Sequence, residues 1–515
     1  MKIQNIPSSS CIHQIKHHNI NHPIIITSST WTKRFHQTLY STPFCSNKSN
    51  ISYYFAYTAC QVQGEDSQFK RTSKNKTKEN DPIIPIAISG AKKGTIAGAV
   101  ALIVGTSIGS GILALPQKTS PAGLIPSSIS LTLCWGFLLI EALLLVEINV
   151  RLLKKKKSVV GNENDLEVIS IRTMAQDTLG ELGGTVATLT YVFLGYTSMI
   201  AYASKSGEIL YHLINIPESV SGVFFTMVFA VLISVGGTRT TDQVNQFLTV
   251  SMIGLLLAIE VIAIKFGGWS GFEGNGDWTK VPATIPVMIF SLVYHDLAPV
   301  LCAYLGGDIG RIRTSIVVGS VIPLVGLLVW NAIALSLSNQ VDSLIDPVEL
   351  LMRQRWDGVE IMVETFSLLA VGTSLIGTLL GFSQFFKEQI VNTLTLDSCP
   401  PLQTSRFNLN VTVEKWWISN RIGLTATAMV VGPSLLVSTV VPDVFSAATD
   451  IAGGYCMTMV YGVLPPAMAW AMQIGEENED KKGISRAKPG LLGVGLLACG
   501  IILDQFFLDF SNFHS

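Results

Sequence analysis

Long apolar stretches recur along most of this chain, and each is close to the length that a membrane span requires. A bilayer core about 30 Å thick needs about 20 mostly apolar residues per α-helix. Because backbone polar groups inside a bilayer must be satisfied within the protein, these stretches are predicted to be helices. The alternating pattern of a membrane β-barrel strand is absent. The eleven predicted spans are 94–116, 125–150, 184–208, 219–237, 246–266, 283–305, 315–337, 361–384, 420–441, 445–471 and 490–509.

Lysine and arginine residues are concentrated in alternate loops between these spans. The loops on the side of the N-terminus include Arg151, Lys154 to Lys157, Arg311 and Arg313, whereas the opposite loops hold few basic residues. Because an excess of Lys and Arg marks the inner face of a membrane protein, the N-terminal side is predicted to be inside. An odd number of spans then places Ser515 outside.

Composition supports a membrane protein and excludes several other classes. Charged residues make up 14% of the 515-residue chain, against about 25% in soluble domains. The net charge of −1 gives no basic excess for nucleic acid. The 8 cysteines form no C-x-x-C pair, so no metal, redox centre or other cofactor is predicted.

The N-terminal region has a different composition from the spans. Residues 1–64 contain no Asp or Glu and are rich in Ser, Thr and Asn, which is typical of an organelle transit peptide. Arginine is scarce there, which favours a plastid over a mitochondrion. Residues 65–92 are predicted to be a charged linker, and residues 93–510 the transmembrane transporter domain. The predicted location is the inner envelope membrane of a plastid, and the alternatives are a mitochondrial membrane or the plasma membrane. The alternative to a transit peptide at the N-terminus is a disordered cytoplasmic tail.

Two of the spans contain residues that interrupt a helix at mid-membrane depth. The first reads Gly-Thr-Ser-Ile-Gly-Ser-Gly from Gly105 to Gly111, and the sixth reads Phe-Ser-Leu-Val-Tyr-His-Asp-Leu-Ala-Pro from Phe290 to Pro299. Glycine weakens a helix by about 1 kcal/mol relative to alanine. The two interruptions lie five spans apart, as an inverted five-plus-five repeat with its binding site at the repeat interface would show. The alternative for the glycines is tight packing between helices.

A pair of broken helices suits a substrate that carries both charges. The free N–H groups at the start of one half-helix attract a carboxylate, and the free C=O groups at the end of the other attract an ammonium group. An amino acid carries both groups.

Several motifs together resemble those of one transporter family. The first span carries Gly-Thr-x-Ile-Gly-x-Gly-x-Leu-x-x-Pro from Gly105 to Pro116, and Val146 to Asn149 closes the second. Tyr294-His295 and Pro299 follow in the sixth, then Leu305 to Asp308 and Trp330. These residues resemble the tyrosine- and tryptophan-specific permeases of the aromatic and hydroxy amino-acid permease family, over roughly residues 92–510. Plant plastid proteins similar to tyrosine-specific permeases look like the nearest kin.

The resemblance implies an eleven-helix amino-acid transporter fold and proton symport. It places the substrate between the first, third, sixth and eighth helices. One position departs from the pattern, because Val293 stands where the family usually has glycine, which puts the local unwinding in doubt. The residues predicted to bind substrate are Gly105, Thr106, Ile108, Gly109, Ser110, Gly111, Tyr196, Phe290, Ser291 and Tyr294.

Ionisable and hydroxyl groups within the spans are the candidates for ion coupling. Glu141, Glu147 and His295 are predicted to handle protons, because ionisable residues at membrane depth are costly unless they serve a function. Glu147 could instead pair with Arg151 one turn away. Thr373 and Ser374 form a possible vestigial Na⁺ site, with bonding to their own helix as the alternative.

These observations predict a proton-coupled carrier for aromatic amino acids, tyrosine or tryptophan above all, and not an enzyme. The first alternative is a carrier for another neutral amino acid or an amine, with Na⁺ as a coupling ion. A membrane-embedded transferase would need acidic clusters or a His-Asp constellation at a membrane face, and the only His-Asp pair, His295-Asp296, lies inside a span. A scaffold protein would need no pair of broken helices.

Overall fold

A computed structural model of the chain describes residues 94–160, 169–265, 276–338, 359–396, 409–441, 444–475 and 488–514. The predicted transit peptide, residues 1–64, and the predicted linker, residues 65–92, lie outside these ranges. The described residues are almost entirely helical. Their helices are α1 (Ile96–Ser107), α2 (Gly111–Thr119), α3 (Leu124–Val160), α4 (Ile171–Ile214), α5 (Glu218–Lys265), α6 (Ile285–Leu292), α7 (Ala298–Tyr304), α8 (Ile309–Ser338), α9 (Val359–Leu396), α10 (Leu409–Val440), α11 (Val444–Ile451), α12 (Leu464–Gly475) and α13 (Lys488–His514).

The number of spans in the described residues agrees closely with the sequence prediction, but the count of eleven is not confirmed. Nine helical segments are long and apolar enough to cross a membrane, and α1 with α2 forms a tenth span that is bent by 54°. The predicted span 445–471 falls in a helical run from α11 to α12 whose middle, Ala452–Val463, is a π-helix. The run from 444 to 475 is therefore the place where an eleventh span would lie.

One helix carries two of the predicted spans, and another begins earlier than predicted. Helix α5 holds the apolar segments Glu218–Gly236 and Thr240–Lys265, each long enough to cross a membrane, and they match the predicted spans 219–237 and 246–266. Helix α4 begins at Ile171, well before the predicted span 184–208, and is kinked at Gly180, where φ is 77°. A positive φ at this kink suits glycine, which has no Cβ to clash. The short segment before the kink therefore takes its own direction.

Burial separates a central part of the protein from a peripheral part. In the most apolar window of the span Pro282–Tyr304, 83% of residues are buried, against 11% in the span Pro489–Ser511. The sixth span is thus enclosed by other helices, while α13 presents most of its surface outward. Large apolar side chains such as Leu182 and Val235 are about four-fifths exposed, as expected for a surface that faces lipid instead of water.

The broken first and sixth spans lie together at the centre. Helix α1 packs on α8, α2 packs on α6, and α6 packs on the π-helical segment. Buried apolar side chains form two clusters, one around Phe290 and Trp330 and the other around Tyr294 and Tyr304. The break in the sixth span falls at the boundary between these clusters.

Candidate functional site

The first span is interrupted at Ile108 to Ser110. Ile108 has an extended conformation, with φ −87° and ψ 100°, although its N–H still bonds to the carbonyl of Val104. The helix resumes at Gly111 in a new direction. Among the hydrogen bonds of the described residues, none engages the N–H of Gly109 or the carbonyl groups of Gly105 and Thr106. Unpaired backbone groups at a helix break are the ones that can bind a charged ligand.

The glycine at the centre of this break faces the eighth span. A Cβ added to Gly109 would lie 2.6 Å from the hydroxyl oxygen of Ser374. The same hydroxyl accepts a hydrogen bond of 3.0 Å from the N–H of Ser110. Gly109 is therefore needed for the close approach of α9 to the break, and this contact explains why no larger residue fits there.

The second break lies at Val293 and Tyr294. Val293 is extended, with φ −71° and ψ 127°, and Tyr294 has φ −137° and ψ 13°. Both φ values are negative, so this break requires no glycine, and β-branched valine favours the extended form. The sixth span is thus broken as predicted, in spite of the departure at Val293.

The two breaks are in direct contact. The Ser291 hydroxyl donates to the carbonyl of Gly111 at 2.8 Å, and it also lies 2.7 Å from the carbonyl of Val287. A Cβ on Gly111 would lie 2.7 Å from the Cα of Ser291. Gly111 and Ser291, both predicted site residues, therefore form the contact between the first and sixth spans.

Aromatic residues line the contact between the broken spans and the third span. The ring of Tyr202 lies 6.4 Å from that of Phe290, and its hydroxyl faces the side chains of Ser110, Ser198 and Thr378. Trp330 is fully buried and donates to the carbonyl of Ile112 at 3.0 Å. These rings give the region around the first break an apolar and aromatic lining.

Tyr196, the tyrosine selected from the sequence, lies in a different environment from Tyr202. Its hydroxyl donates to the carbonyl of Met429 in α10 at 2.9 Å, and its ring packs 4.9 Å from Phe382. Tyr294 also points away from Phe290, because it belongs to the cluster around Tyr304. The third-span residue that the structure brings to the break is therefore Tyr202.

The remaining predicted residues of the first span differ in exposure. Ile108 is 4% exposed and belongs to the apolar cluster around Phe290. The Thr106 side chain is exposed, and its hydroxyl bonds to the carbonyl of Leu102 one turn back. Gly105 approaches Thr249 of α5, whose methyl group would lie 3.0 Å from an added Cβ. Of these residues, Thr106 is the one with a polar atom that faces open space.

The second break also exposes one polar side chain. Asp296 is exposed, although its neighbours His295 and Leu297 are buried. Its carboxylate accepts a hydrogen bond from the hydroxyl of Tyr461 in the π-helical segment. Thr106 at the first break and Asp296 at the second are therefore both exposed polar residues.

Two of the predicted proton-handling residues are buried without complete hydrogen bonding. Glu141 is fully buried, and neither carboxyl oxygen has a partner in the described residues. The Nε2 of His295 lies 2.9 Å from the carbonyl of Leu138, one helical turn before Glu141, whereas its Nδ1 has no such partner. The ring is placed between Tyr294 and Tyr461, at 5.1 and 5.2 Å. An ionised carboxylate without a donor or counter-ion costs far more free energy at this depth than a protonated carboxyl group does.

Glu147 has a different environment from Glu141. It forms ion pairs with Arg151 at 2.8 Å and with Arg313 of α8 at 3.0 Å. All three side chains are partly exposed. The pairing with Arg151 that the sequence offered as an alternative is present, and Arg313 adds a connection between the second and seventh spans.

The hydroxyl groups considered for a vestigial ion site have protein partners. Thr373 bonds to the carbonyl of Ala370 at 3.1 Å and lies 3.8 Å from the sulfur of Met252. Ser374 binds the N–H of Ser110, as described above. The bond of Thr373 to its own helix matches the alternative interpretation of these residues.

The two ends of the first span are tied to other spans. At the predicted inner end, the N–H of Gly94 donates to the carbonyl of Tyr304 at 2.9 Å, and Arg311 donates to the carbonyl of Gly94. At the outer end, Lys118 forms an ion pair with Asp450 of α11. This outer pair could not be predicted from the sequence, because its members are 332 residues apart.

Two interrupted spans that contact each other and are enclosed by further spans are typical of one class of polytopic membrane carriers. Comparison with known proteins then identifies the family. Residues 92–505 match the Tryptophan/tyrosine permease family, and the chain belongs to that family. It is accordingly a membrane transport protein and not an enzyme, and the family predicted from the sequence is confirmed.

Individual relatives have tyrosine and tryptophan in their names. The chain is 30% identical over 241 residues to tyrosine-specific transport system 1 of Haemophilus influenzae, which covers 45% of this chain and 56% of that protein. It is 26% identical over 324 residues to a tryptophan-specific transport protein of Pseudomonas aeruginosa, over 58% of this chain and 73% of that one. The chain thus covers only slightly more than half of the first relative.

A solved structure confirms the predicted fold class. The crystal structure of MhsT in complex with L-phenylalanine superposes with a TM-score of 0.54, over 81% of this chain and 99% of the other. The sequence identity is 14%, so this likeness concerns the fold alone.

Proposed function

We propose that the chain is a secondary active transporter that carries aromatic amino acids, tyrosine or tryptophan, together with protons. The observation that carries the proposal is the contact between the two broken spans at Gly111 and Ser291, beside an aromatic lining formed by Tyr202 and Phe290. Unpaired N–H and C=O groups at the first break suit the carboxylate and ammonium of an amino acid. The aromatic rings suit a planar side chain. The names of the two relatives support this substrate class.

Proton coupling is supported by the environment of Glu141. Its carboxyl group is fully buried and has no hydrogen-bond partner among the residues that the structure describes, so gain or loss of one proton changes the free energy of that environment strongly. It lies one turn from Leu138, whose carbonyl contacts His295 beside the second break. Protonation of this region can therefore favour one arrangement of the broken spans over another.

The proposed location is the inner envelope membrane of a plastid. The support for this proposal is the acid-free, hydroxyl-rich composition of residues 1–64. Within that membrane the N-terminal side, rich in Lys and Arg, faces the stroma.

A second candidate is a Na⁺-coupled carrier for another neutral amino acid. The observation that favours it is the position of Thr373 and Ser374, whose hydroxyl oxygens lie on the helix that touches the first break. Hydroxyl and carbonyl oxygens are suitable ligands for a hard cation.

Transport of a panel of labelled amino acids into proteoliposomes that contain the purified chain tests the substrate. Tyrosine and tryptophan should enter and compete with each other, whereas glutamine and alanine should compete at least tenfold more weakly. Efficient entry of small neutral amino acids, with no competition by aromatic ones, would favour the second candidate.

A further inference from the structure

The two broken spans contain a single acidic residue. Asp296 is the only Asp or Glu in residues 96–119 and 282–304. It follows the second break directly, in the short 3₁₀ helix His295–Leu297. An ionisable side chain at this depth is costly, so Asp296 is expected to have a charged partner or a function.

The side chain of Asp296 is exposed, although it belongs to the most enclosed span of the described residues. In the most apolar window of the span Pro282–Tyr304, 83% of residues are buried. His295 and Leu297 on either side of Asp296 are buried, and Tyr461, which donates to its carboxylate, is fully buried. Because charged side chains within spans face the protein interior or a wet cavity, the exposed side of this carboxylate borders the space between the spans.

The carboxylate of Asp296 has a neutral donor but no counter-ion among the described residues. The Tyr461 hydroxyl donates to it, and none of the ion pairs found in that part of the chain includes it. It does not cap a helix either, because the 3₁₀ helix and α7 both begin without a hydrogen bond from a side chain. Tyr461 therefore holds the carboxylate in place and leaves its negative charge without compensation.

Asp296 lies close to the aromatic lining of the first break. Its carboxylate is near enough to the Tyr202 hydroxyl to interact with it electrostatically, and that hydroxyl faces Ser110. The Tyr202 ring lies 6.4 Å from the ring of Phe290. A negative charge, aromatic rings and the free N–H of Gly109 are thus brought to one region, and they match the ammonium, the side chain and the carboxylate of an aromatic amino acid.

We propose that Asp296 binds the ammonium group of the transported amino acid and that Tyr461 positions its carboxylate. This inference rests on the proposed function and adds to it a residue that selects substrates with a free amino group. A full negative charge attracts an ammonium group more strongly than the partial charges of the carbonyl groups at the first break. An aromatic acid without an amino group would bring a second negative charge next to Asp296 and should be rejected.

Binding of two ligands to the purified full-length chain in detergent tests this inference. The ligands are tyrosine and para-hydroxyphenylpropionate, which has the same ring and carboxylate but no amino group. Affinity is measured as the ligand concentration that gives half of the maximal rise in melting temperature. The unaltered chain should prefer tyrosine by at least about thirtyfold, as expected when one partner of an enclosed charge pair is absent.

The two ligands separate this inference from the proposed function. Equal affinity for both would overturn the role of Asp296 and leave transport of aromatic amino acids intact. Absence of tyrosine binding would overturn both.

Asp296→Asn should change the two affinities in opposite directions. Asparagine has nearly the same size and can still accept a hydrogen bond from Tyr461. The variant should bind tyrosine at least about tenfold more weakly, because the charge pair is lost, and para-hydroxyphenylpropionate more tightly, because the repulsion is removed. Asp296→Glu keeps the charge and should retain the preference for tyrosine. A purely structural role of Asp296 would change both affinities in the same direction.

Asp509→Asn is the matched control. Asp509 is also exposed and accepts a hydrogen bond of 2.6 Å from a tyrosine of the π-helical segment, Tyr455, but it lies on α13, outside both broken spans. This variant should keep both affinities. The inference is wrong if Asp296→Asn weakens both ligands equally, or if Asp509→Asn lowers the preference for tyrosine as much. The melting temperature of each variant without ligand shows that it is folded.

Discussion

Single atoms decide how closely the eighth span approaches the first break. The Ser374 hydroxyl binds the N–H of Ser110 and occupies the space where a Cβ of residue 109 would lie. Two neighbouring residues therefore depend on one side chain, and the effects of substitutions at Gly109 and Ser374 should not be additive.

Gly109→Ala should reduce uptake of tyrosine by about tenfold, because an added methyl group in a tight contact costs about 1–3 kcal/mol. In Ser374→Ala the hydroxyl is removed, so the double variant Gly109→Ala with Ser374→Ala should recover part of this activity. Uptake and membrane abundance are measured for all four proteins. If the double variant is as poor as the product of the single effects predicts, the two residues are not coupled through this contact.

The proposed role of Glu141 in proton coupling can be tested by comparison with a second buried carboxyl group. The comparison shows whether an effect is specific to Glu141 or common to buried carboxyl groups. Glu141→Gln keeps the shape of the side chain but cannot exchange a proton at this position. Exchange of labelled for unlabelled tyrosine should continue in this variant, whereas accumulation driven by a pH gradient should fall to the equilibrium level.

Glu260→Gln is the matched control for this experiment. Glu260 is 7% exposed and one of its oxygens also has no hydrogen-bond partner in the described part of the chain, but it lies on α5, outside both broken spans. It should retain accumulation. Loss of accumulation in Glu260→Gln with normal behaviour of Glu141→Gln would transfer the coupling role to Glu260.

The sequence indicated which residue types are important but not which side of a helix they occupy. Tyr196 and Tyr202 are six residues apart, which places them about 120° apart around an α-helix. One therefore contacts α10 and the other faces the first break. Either position fits the apolar pattern of the third span, so only packing could distinguish them.

At the scale of helices, the interruptions were predictable because glycine and proline weaken a helix whatever surrounds it. Their directions were not, since they depend on contacts between spans. The break at Val293 and Tyr294 shows the limit of prediction from glycine positions, because neither of these two residues has a conformation that requires glycine. The π-helical segment Ala452–Val463 was also not foreseen; it fits Gly453 tightly against the carbonyl of Pro286 in α6.

The ion pair between Lys118 and Asp450 connects α2 to α11 at the outer side. Both side chains are about one-quarter exposed, so loss of one partner leaves the other partly buried and unpaired. Lys118→Met should lower stability by about 1–3 kcal/mol, and Lys118→Met with Asp450→Asn should recover much of it. The melting temperatures of the unaltered protein and of these two variants check this. A double variant that is less stable than Lys118→Met would show that the pair does not act as a unit.

At the scale of the whole molecule, the fold class followed from the number, length and interruption of the apolar stretches. The fold class could be predicted because only α-helices and closed β-barrels can span a bilayer. The location of the protein in the cell rests on residues 1–64 alone and requires a separate test.

A fluorescent protein placed after residues 1–90 should enter plastids. The reason is the absence of Asp and Glu from the first 64 residues, which is typical of transit peptides. A control fusion with four Ser or Thr residues of this segment replaced by Glu should remain in the cytosol. Import of the unaltered fusion into mitochondria alone would contradict the plastid proposal.

Proton-coupled transport of aromatic amino acids is tested by uptake of labelled tyrosine into proteoliposomes, in sodium-free buffer with the outside acidic. We expect accumulation above the outside concentration, loss of that accumulation on addition of a protonophore, and competition by tryptophan. Uptake that requires Na⁺ and is unaffected by the protonophore would contradict proton coupling and favour a role for Thr373 and Ser374 as ion ligands.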